Sequence, residues 1–337
     1  MSTRLDYPAP ALEFGETHEL VPGVRWLRLP LPFPPRHVNV YLLDGDGDKP
    51  FLVDTGYAEE QTTALWNTRY SCPDNAVVTH FHPDHIGQAA HLERAGARIH
   101  GPRAELEKAK MLHDLSGEAV DASLESFFTK NGMDCHSSMF GRGNGYRRSV
   151  PDLPEAAVLL EVGPPDFARA WEVSFASGHS PAHALLFRGE EPVLAAGDVL
   201  LPEITPNISV WPDDPDADPL GDYFEALGGL RGLPEETLVL PAHGLPYRGL
   251  HARIDELVEH HEERLQELRD LLAKRDCTAM EALPTLFPQE LKRASIPFAF
   301  GETLAHLNRL WHDGDAERIT GGNNRYYYRL TADGRNR

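Results

Sequence analysis

One short segment constrains the fold more than any other part of the sequence, namely the run from Thr79 to His85. Three histidines and one aspartate fall within six positions of it, at His80, His82, Asp84 and His85. A short buried strand over 76–78 is predicted to lead into the segment, and a helix over 84–95 is predicted to follow. Imidazole and carboxylate groups gathered in one turn are ligands suited to zinc, iron or manganese. The segment therefore predicts a metal site between a strand and a helix.

Four shorter motifs also follow predicted strands. They are Asp54-Thr55-Gly56, Gly178-His179-Ser180, Gly197-Asp198 and Ala242-His243-Gly244. Each of them is weak alone, because Gly-Asp after a strand is usually just a turn. Strand and helix patterns alternate in the first part of the chain, however, which favours a layered α/β core. In such folds the ends of the strands gather functional groups.

Taken together and in this order, the motifs resemble the ligand set of the metallo-β-lactamase superfamily, over roughly residues 20 to 250. The resemblance implies an αββα sandwich with two metal ions at one edge. The seven ligands that it implies form a first trio, a second trio and a bridge between them: His80, His82 and His179; Asp84, His85 and His243; and Asp198. The complete set looks like that of glyoxalase II, the lactonases and the nucleases, rather than that of the lactam-hydrolysing members.

The resemblance also implies a mechanism. Two metal ions about 3.5–4 Å apart share a water and lower its pKa towards neutrality, which gives a metal-bridging hydroxide. The hydroxide attacks a carbonyl carbon or a phosphorus, while Asp84 orients it and later carries a proton to the leaving group. Two divalent ions are therefore the expected cofactors. Zinc is expected first, with iron or manganese as alternatives.

Two further residues are expected to support the ligands. Asp54 matches a buried aspartate of the superfamily, and its carboxylate would orient a ligand histidine. The alternative for Asp54 is a simple cap for a helix that starts near Ala58. His183 would likewise orient a ligand, or it is merely a packed histidine, and the sequence leaves both interpretations open.

Residues 102–155 have a different pattern and are interpreted as a helical insertion in the catalytic domain. Two amphipathic helices are predicted in it, over 105–115 and 119–130. Apolar side chains and the basic residues Arg147 and Arg148 suggest a lid that binds an acyl chain or an anionic carrier such as coenzyme A. A packed helical layer with surface arginines is the alternative.

The C-terminal part reads as a separate module. A long helix over 251–274 is followed by two shorter helices and a hairpin, an order that resembles a small winged helix, as in the branch with mitochondrial β-lactamase-like endoribonucleases. We therefore predict a catalytic domain over 1–250 and a winged-helix-like domain over 251–337. His260 and His261 lie among glutamates of the long helix and are predicted to be exposed to solvent.

The leading functional hypothesis is hydrolysis of a small ester-like substrate, in particular a thioester of coenzyme A or glutathione. The dedicated glutathione-binding helices of glyoxalase II are not recognisable. A single-strand endoribonuclease, a lactonase and a non-catalytic effector-binding protein are the alternatives. The net charge of −20 opposes nucleic-acid binding, because such binding relies on Lys and Arg to neutralise phosphates.

Location and assembly are less constrained. No run approaches the roughly 18 apolar residues that a membrane helix needs, and residues 1–15 lack the apolar stretch of a signal peptide. We therefore expect a cytoplasmic protein with a small-molecule substrate. A homodimer formed through the long helix or the tail is an open alternative to a monomer.

Overall fold

The computed structural model describes residues 5–115, 118–134 and 145–336. The chain divides into two compact units, each built from three stretches of sequence. Unit 1 comprises Met1–Asp114, Asn144–Pro206 and Leu230–Ile254, and unit 2 comprises Leu115–Gly143, Asn207–Gly229 and Asp255–Arg337. The sequence predicts one cut near residue 250, and that domain boundary stays a prediction.

Two sheets form the framework of unit 1. The larger has seven strands that lie side by side in chain order: β1 (Thr17–Val21), β2 (Val24–Pro30), β3 (His37–Leu43), β4 (Phe51–Val53), β5 (Asn75–Val77), β6 (Arg98–Gly101) and β7 (Val158–Leu159). Strands β1 to β4 are antiparallel, and β4 to β7 are parallel. The smaller has the order β11-β10-β9-β8 and consists of β8 (Trp171–Ala176), β9 (His183–Arg188), β10 (Val193–Gly197) and β11 (Leu238–Pro241).

The helices are distributed over both units. In chain order they are α1 (Glu60–Thr68), α2 (Pro83–Ile86), α3 (Ala89–Arg94), α4 (Arg103–Asp114), α5 (Glu118–Lys130), α6 (Gly145–Ser149), α7 (Pro219–Leu230), α8 (Leu250–Leu272), α9 (Ala279–Leu286) and α10 (Ile296–His312). A hairpin of β12 (Ala316–Thr320) and β13 (Tyr326–Leu330) follows α10. Among the described residues, no helix is long and apolar enough to cross a membrane.

Side chains on opposite faces of the large sheet belong to two separate cores. Successive residues of a strand point to opposite faces, as Trp26 and Leu27 of β2 show. Trp26 belongs to the core between the two sheets, together with Trp171 of β8. Leu27 belongs to the core on the helical side, together with Trp66 of α1. Unit 1 is therefore layered, with helices over one sheet and the second sheet beneath it.

The predicted helix over 84–95 is wrong in one respect, because the structure has two short helices, α2 and α3. The carbonyl of His85 accepts hydrogen bonds from the backbone N–H and the hydroxyl of Thr55, at 2.9 and 2.7 Å. The same hydroxyl accepts a hydrogen bond from the N–H of Gln88 at 3.1 Å. These bonds replace the regular turn of a continuous helix, and they fasten His85 to the loop that follows β4.

The predicted insertion over 102–155 is divided between the units. Helices α4 and α6 belong to unit 1, whereas α5 belongs to unit 2. There the ring of Phe128 lies 5.2 Å from that of Phe300 on α10. Residues 116, 117 and 135–144 of the predicted insertion lie outside the described residues. The order of helices and hairpin predicted for the tail is present in α9, α10, β12 and β13, while the winged-helix resemblance stays a prediction.

Unit 2 contains a buried pair of histidines. The prediction of a solvent-exposed His261 is wrong, since this residue is fully buried. His306 Nδ1 lies 2.8 Å from the carbonyl of Glu302, and His306 Nε2 lies 3.1 Å from His261 Nδ1. Because a carbonyl only accepts, His306 Nδ1 carries the hydrogen, so its Nε2 accepts from His261. The Nε2 of His261 is then a buried lone pair, and it has no hydrogen-bond partner among the described residues.

We expect this pair to make unit 2 sensitive to acid. Burial lowers the pKa of His306 to about 4, and burial together with the neighbouring His306, His260 and Arg264 lowers that of His261 to about 2. A histidine in the unfolded chain has a pKa of about 6.5. Below this pH the two histidines therefore bind protons in the unfolded chain but remain neutral in the folded unit. The contribution of the two histidines to the free energy of unfolding should therefore fall as the pH drops below 6.5, by up to about 1.4 kcal/mol per pH unit for each. Burial raises the pKa of Glu302 to about 7, which acts in the opposite direction and offsets part of this decline.

Urea unfolding at pH 7.5, 6 and 5 measures this dependence. His261→Phe removes one of the two groups and should flatten the decline between pH 6.5 and 4. His312→Gln, at an exposed position of the same unit, is the matched control and should keep the decline of the wild type. Equal declines in all three proteins would show that the buried pair is not responsible.

Candidate metal centre

Loops that follow five strands of unit 1 bring the predicted site residues together. Asp54 follows β4, the segment from His80 to His85 follows β5, His179 follows β8, Asp198 follows β10, and His243 follows β11. Their donor atoms form two groups that could each hold a metal ion, and within each group the donor atoms lie within 4.8 Å of one another: His80, His82, His179 and Asp198; and Asp84, His85 and His243. These groups correspond to the two predicted trios, with Asp198 in the first.

Three imidazole nitrogens of the first group face one another. His82 Nδ1 lies 2.8 Å from His80 Nε2 and 3.1 Å from His179 Nε2, and the two Nε2 atoms are 3.3 Å apart. Lone pairs at such distances repel unless a proton or a cation lies among them. Two nitrogens bound tetrahedrally to one zinc ion lie about 3.3 Å apart, so the spacing fits an ion of that size.

Hydrogen bonds behind the rings decide which nitrogen faces the group. His80 Nδ1 lies 3.0 Å from the hydroxyl of Thr79, which donates to the carboxylate of Asp54 at 2.8 Å. Because that hydroxyl gives its hydrogen to Asp54, it accepts the hydrogen on His80 Nδ1. The lone pair of His80 is thereby placed on Nε2, which is the atom that faces the other two histidines.

The second group is wider, and a carboxylate takes part in it. Asp84 Oδ2 lies 3.4 Å from His243 Nε2 and 3.7 Å from His85 Nε2. Asp198 lies between the groups, since its Oδ2 is 3.3 Å from His179 Nε2 and its Oδ1 is 3.4 Å from His243 Nε2. One carboxylate thus offers an oxygen to each group, which is the arrangement that a bridging ligand requires.

The donor set fits two divalent cations. His85 Nδ1 donates to Asp54 at 2.7 Å, and His243 Nδ1 donates to the carbonyl of His37 at 2.9 Å, so both rings direct Nε2 into the site. Among the described residues, His85 Nε2 and Asp198 Oδ1 are buried without a hydrogen-bond partner. A buried polar atom without a partner costs about 1–3 kcal/mol. A cation bound between the groups would satisfy both atoms.

The two groups differ in charge. Burial lowers the pKa of His80 well below its usual range and that of His82 to about 3, so both rings are neutral. Burial also opposes the protonation of His85, but Asp54, Asp84 and Asp198 raise its pKa well above the usual range. Burial would raise the pKa of Asp198, whereas His243 and His85 hold it well below its usual range. Burial likewise opposes the protonation of His243, but Asp198 and Asp84 raise its pKa to about 8. His80 and His82 of the first group are therefore neutral, whereas His85 and His243 carry positive charge beside Asp84 and Asp198.

Asp54 is hydrogen-bonded at two places in the segment that carries His80 and His85. Its carboxylate accepts the backbone N–H and the hydroxyl of Thr79, both at 2.8 Å, in addition to the hydrogen of His85 Nδ1. Its backbone has φ of +63°, in the left-handed region. The alternative of a helix cap is wrong, because α1 begins at Glu60 and Glu59 occupies the position before it. The predicted role of orienting a ligand is compatible with these bonds and stays a prediction.

His183 is packed against the first group and also bonded to its loop. Its ring stacks on that of His80 with centroids 4.6 Å apart. Its Nδ1 donates to the carbonyl of Ala184 at 2.9 Å, so its Nε2 accepts the backbone N–H of Asp198 at 3.2 Å. Gly197 has φ of +49°, and a Cβ there would lie 2.4 Å from the His183 ring. The ring is therefore packed, as one of the two interpretations has it, and the role of orienting a ligand stays a prediction.

Sequence reasoning missed two buried polar residues that hold the loops. The side-chain amide of Asn39 donates to the carbonyls of Pro241 and Gly244, at 2.9 and 2.8 Å, on either side of His243. Glu105, in the first turn of α4, is 1% exposed and bonds two other loops. The available signal was a polar residue at a buried position of an apolar pattern, since Asn39 lies between two valines of β3.

The two arginines predicted to bind substrate belong to unit 1. Arg147 and Arg148 are exposed on the short helix α6. Their predicted role stays a prediction.

The stacked sheets and this donor set define a metallo-hydrolase of the α/β class. A family model described as the metallo-beta-lactamase superfamily matches residues 33–243, and one described as the metallo-beta-lactamase-like C-terminal domain matches residues 265–331. The chain belongs to the metallo-β-lactamase superfamily. The predicted fold class, an α/β sandwich with a C-terminal domain, is confirmed.

Three known proteins are similar to the chain over different lengths. A β-lactamase domain protein of Burkholderia ambifaria is 34% identical, with a TM-score of 0.87 over 97% of this chain and 98% of that one. The probable metallo-hydrolase YqjP of Bacillus subtilis is 25% identical over 89% of this chain and 96% of its own length. A hydroxyacylglutathione hydrolase of Serratia proteamaculans is 30% identical over 94 residues, which are 27% of this chain and 36% of that one.

Proposed function

We propose that the chain is a dinuclear metal-dependent hydrolase whose substrate is a thioester of coenzyme A or glutathione. The observation that carries the proposal is the position of Asp198, which offers one carboxylate oxygen to each of two groups of imidazole and carboxylate donors. Two metal ions held in this way would lower the pKa of a shared water and polarise a carbonyl oxygen.

The residues of the chain have distinct parts in this reaction. Asp54 and Thr79 keep the rings of His80 and His85 in the orientation that presents Nε2 to the site. The carboxylate of Asp84, whose side chain is 13% exposed, would accept the proton of the attacking water and pass it towards the leaving group.

Three arguments favour a thioester of an anionic carrier among the ester-like substrates. The chain locally resembles a relative whose name, hydroxyacylglutathione hydrolase, gives a glutathione thioester as that relative's substrate. A thiol also has a pKa of about 8.5, so a thiolate leaves with little help from a proton donor. The exposed arginines Arg147 and Arg148 would suit an anionic carrier.

Charge within unit 2 argues against the endoribonuclease alternative. The helix that would read nucleic acid, α10, offers Arg309 as a basic residue. Its guanidinium donates to Asp218 at 2.6 Å and to Asp313 at 2.9 Å, so carboxylates already occupy it. A recognition helix should instead present free positive charge.

Release of free thiol from acyl-coenzyme A and acylglutathione substrates tests the proposal. We expect turnover by the metal-loaded protein, and Asp84→Asn should lower kcat/KM by about 10²–10⁴-fold, because asparagine keeps the shape but cannot accept the proton of the attacking water. Asp152→Asn, at an exposed ion pair with Arg94, is the matched control and should leave turnover unchanged.

The other outcomes select among the alternatives. Thiol release that survives Asp84→Asn would refute the role of this carboxylate. A fully metallated protein that releases no thiol would refute the thioester, and single-stranded RNA and lactones would be tested next. Failure with every substrate would favour an effector-binding protein.

A further inference from the structure

We propose that Glu105 is a positioning residue that sets the distance between the two loops of the first metal group. Those loops carry His80 and His82 on one side and His179 on the other. The inference rests on the proposed metal pair, and it adds a residue that is not itself a ligand to the machinery of that pair.

One oxygen of Glu105 holds the first loop. Glu105 Oε2 accepts the backbone N–H of Phe81 at 3.1 Å. Phe81 lies between His80 and His82 in sequence, so this bond fixes the peptide that joins two of the three nitrogen donors. The hydroxyl of Tyr146 donates to the carbonyl of Phe81 at 2.6 Å, so both polar groups of this residue's backbone are occupied.

The other oxygen of Glu105 holds the second loop. Glu105 Oε1 accepts the hydroxyl of Ser180 at 2.8 Å and the backbone N–H of Ala182 at 2.5 Å. Ser180 directly follows His179. The nitrogen donors of the two loops are 97 and 99 residues apart in sequence, and one carboxylate connects them.

The chemistry of these bonds explains why a carboxylate is needed. All three partners are N–H or O–H groups, so the position requires acceptors on both oxygens. Hydrogen bonds to an ionised acceptor are roughly twice as strong as those between neutral groups. The side chain is almost completely buried, and a buried charge of this kind is tolerated when donors surround it. The hydrogen bonds of Glu105 can therefore keep the nitrogen atoms of His80, His82 and His179 close together, although their lone pairs repel one another.

The second metal group is held by different residues. Asn39 fastens the loop of His243 through the carbonyls of Pro241 and Gly244, and Asp54 fastens His85. Glu105 has no hydrogen bond to that loop among those found in the described residues. Loss of Glu105 should therefore lower the affinity for the ion of the His179 group and leave the affinity for the other ion unchanged. A general loss of packing would lower both affinities.

Metal titration of designed variants tests the inference. Glu105→Gln keeps the size, but its NH₂ group meets an N–H or O–H donor, so one loop is released. Glu105→Asp keeps the charge but is one methylene shorter, so it cannot reach both loops. Glu107→Gln is the matched control, because Glu107 lies on the same helix and makes an exposed ion pair with Arg103 at 3.7 Å.

Cobalt(II) titration followed by visible spectroscopy, with zinc stoichiometry in metal buffers, gives the readout. His179→Ala and His243→Ala each remove a ligand from one group and supply the reference spectra. We expect both Glu105 variants to bind the ion of the His179 group about 10–100-fold more weakly, the range seen when a group that orients a ligand is lost. The other ion should bind as in the wild type and in Glu107→Gln.

Asn39→Ala provides the converse case, since it should weaken the ion of the His243 group. Equal binding of both ions by Glu105→Gln and the wild type would overturn the inference. So would equal weakening of both ions in a variant whose circular dichroism spectrum is unchanged, since that result indicates a general structural role. A wild-type protein that binds fewer than two ions would instead refute the proposed metal pair.

Discussion

Asp198→Asn is expected to abolish the dinuclear site and to lower kcat/KM by more than about 100-fold, which exceeds the loss caused by groups that only orient a ligand. The carboxylate lies 3.3 Å from His179 Nε2 through one oxygen and 3.4 Å from His243 Nε2 through the other. Asparagine has the same shape, but its NH₂ group has no lone pair for a cation. One of the two groups must therefore lose its shared ligand and the charge that comes with it.

Metal content after dialysis against zinc buffers measures this effect directly. The variant should retain at most one ion per chain under conditions in which the wild type retains two. Asp152→Asn, far more exposed, should retain the wild-type content. Two tightly held ions in Asp198→Asn would mean that Asp198 does not bridge the groups.

Asp54→Asn should have the second largest effect. Asparagine replaces one carboxylate oxygen by an NH₂ group. If this group faces His85 Nδ1, two hydrogen-bond donors face each other and the bond is lost. The other neutral tautomer of His85 is then more stable. Its hydrogen lies on Nε2 and points into the site, where it prevents this nitrogen from binding a metal ion. We expect a metal affinity lower by about 10–100-fold and a free energy of unfolding lower by about 3–5 kcal/mol, because a buried charged pair loses one partner.

The choice of asparagine separates this effect from backbone strain. Asp54 has φ of +63°, and asparagine is one of the few residues that adopt this region readily. Metal titration and urea unfolding give the two quantities. Asp74→Asn, which alters an exposed ion pair with Lys49, should change stability by less than about 1 kcal/mol. A wild-type affinity in Asp54→Asn would show that His85 does not depend on this carboxylate.

The sequence points to the members of the two donor groups because their signal is local. His80, His82, Asp84 and His85 lie within one turn, and the remaining motifs each follow a strand. The two donor groups that the structure assembles correspond to these predictions, although the binding of metal by these residues stays a prediction. The layered α/β core follows from the order of strands and helices, whereas the sandwich of two sheets was implied by the resemblance to the superfamily.

The residues that hold the ligands escaped prediction because their partners are distant in sequence. Glu105 reads as an ordinary helix position until Ser180 and Ala182 are seen beside it. The break between α2 and α3 depends on the hydroxyl of Thr55, 30 residues before His85. His261 appeared solvated among glutamates, and only the partner on α10, His306, reveals that it is buried.

The composition of unit 2 has a consequence for the synthesis of the chain. Its stretches 115–143, 207–229 and 255–337 alternate with those of unit 1. Phe128 packs on Phe300, and at ribosomal rates of 5–20 residues per second the partner ring follows on the order of ten seconds or more later. Until Phe300 has been synthesised, the ring of Phe128 on α5 lacks this partner in the nascent chain. Unit 2 therefore completes its folding only after the stretch 255–337 has been synthesised, and a holding chaperone would be of most use before that point.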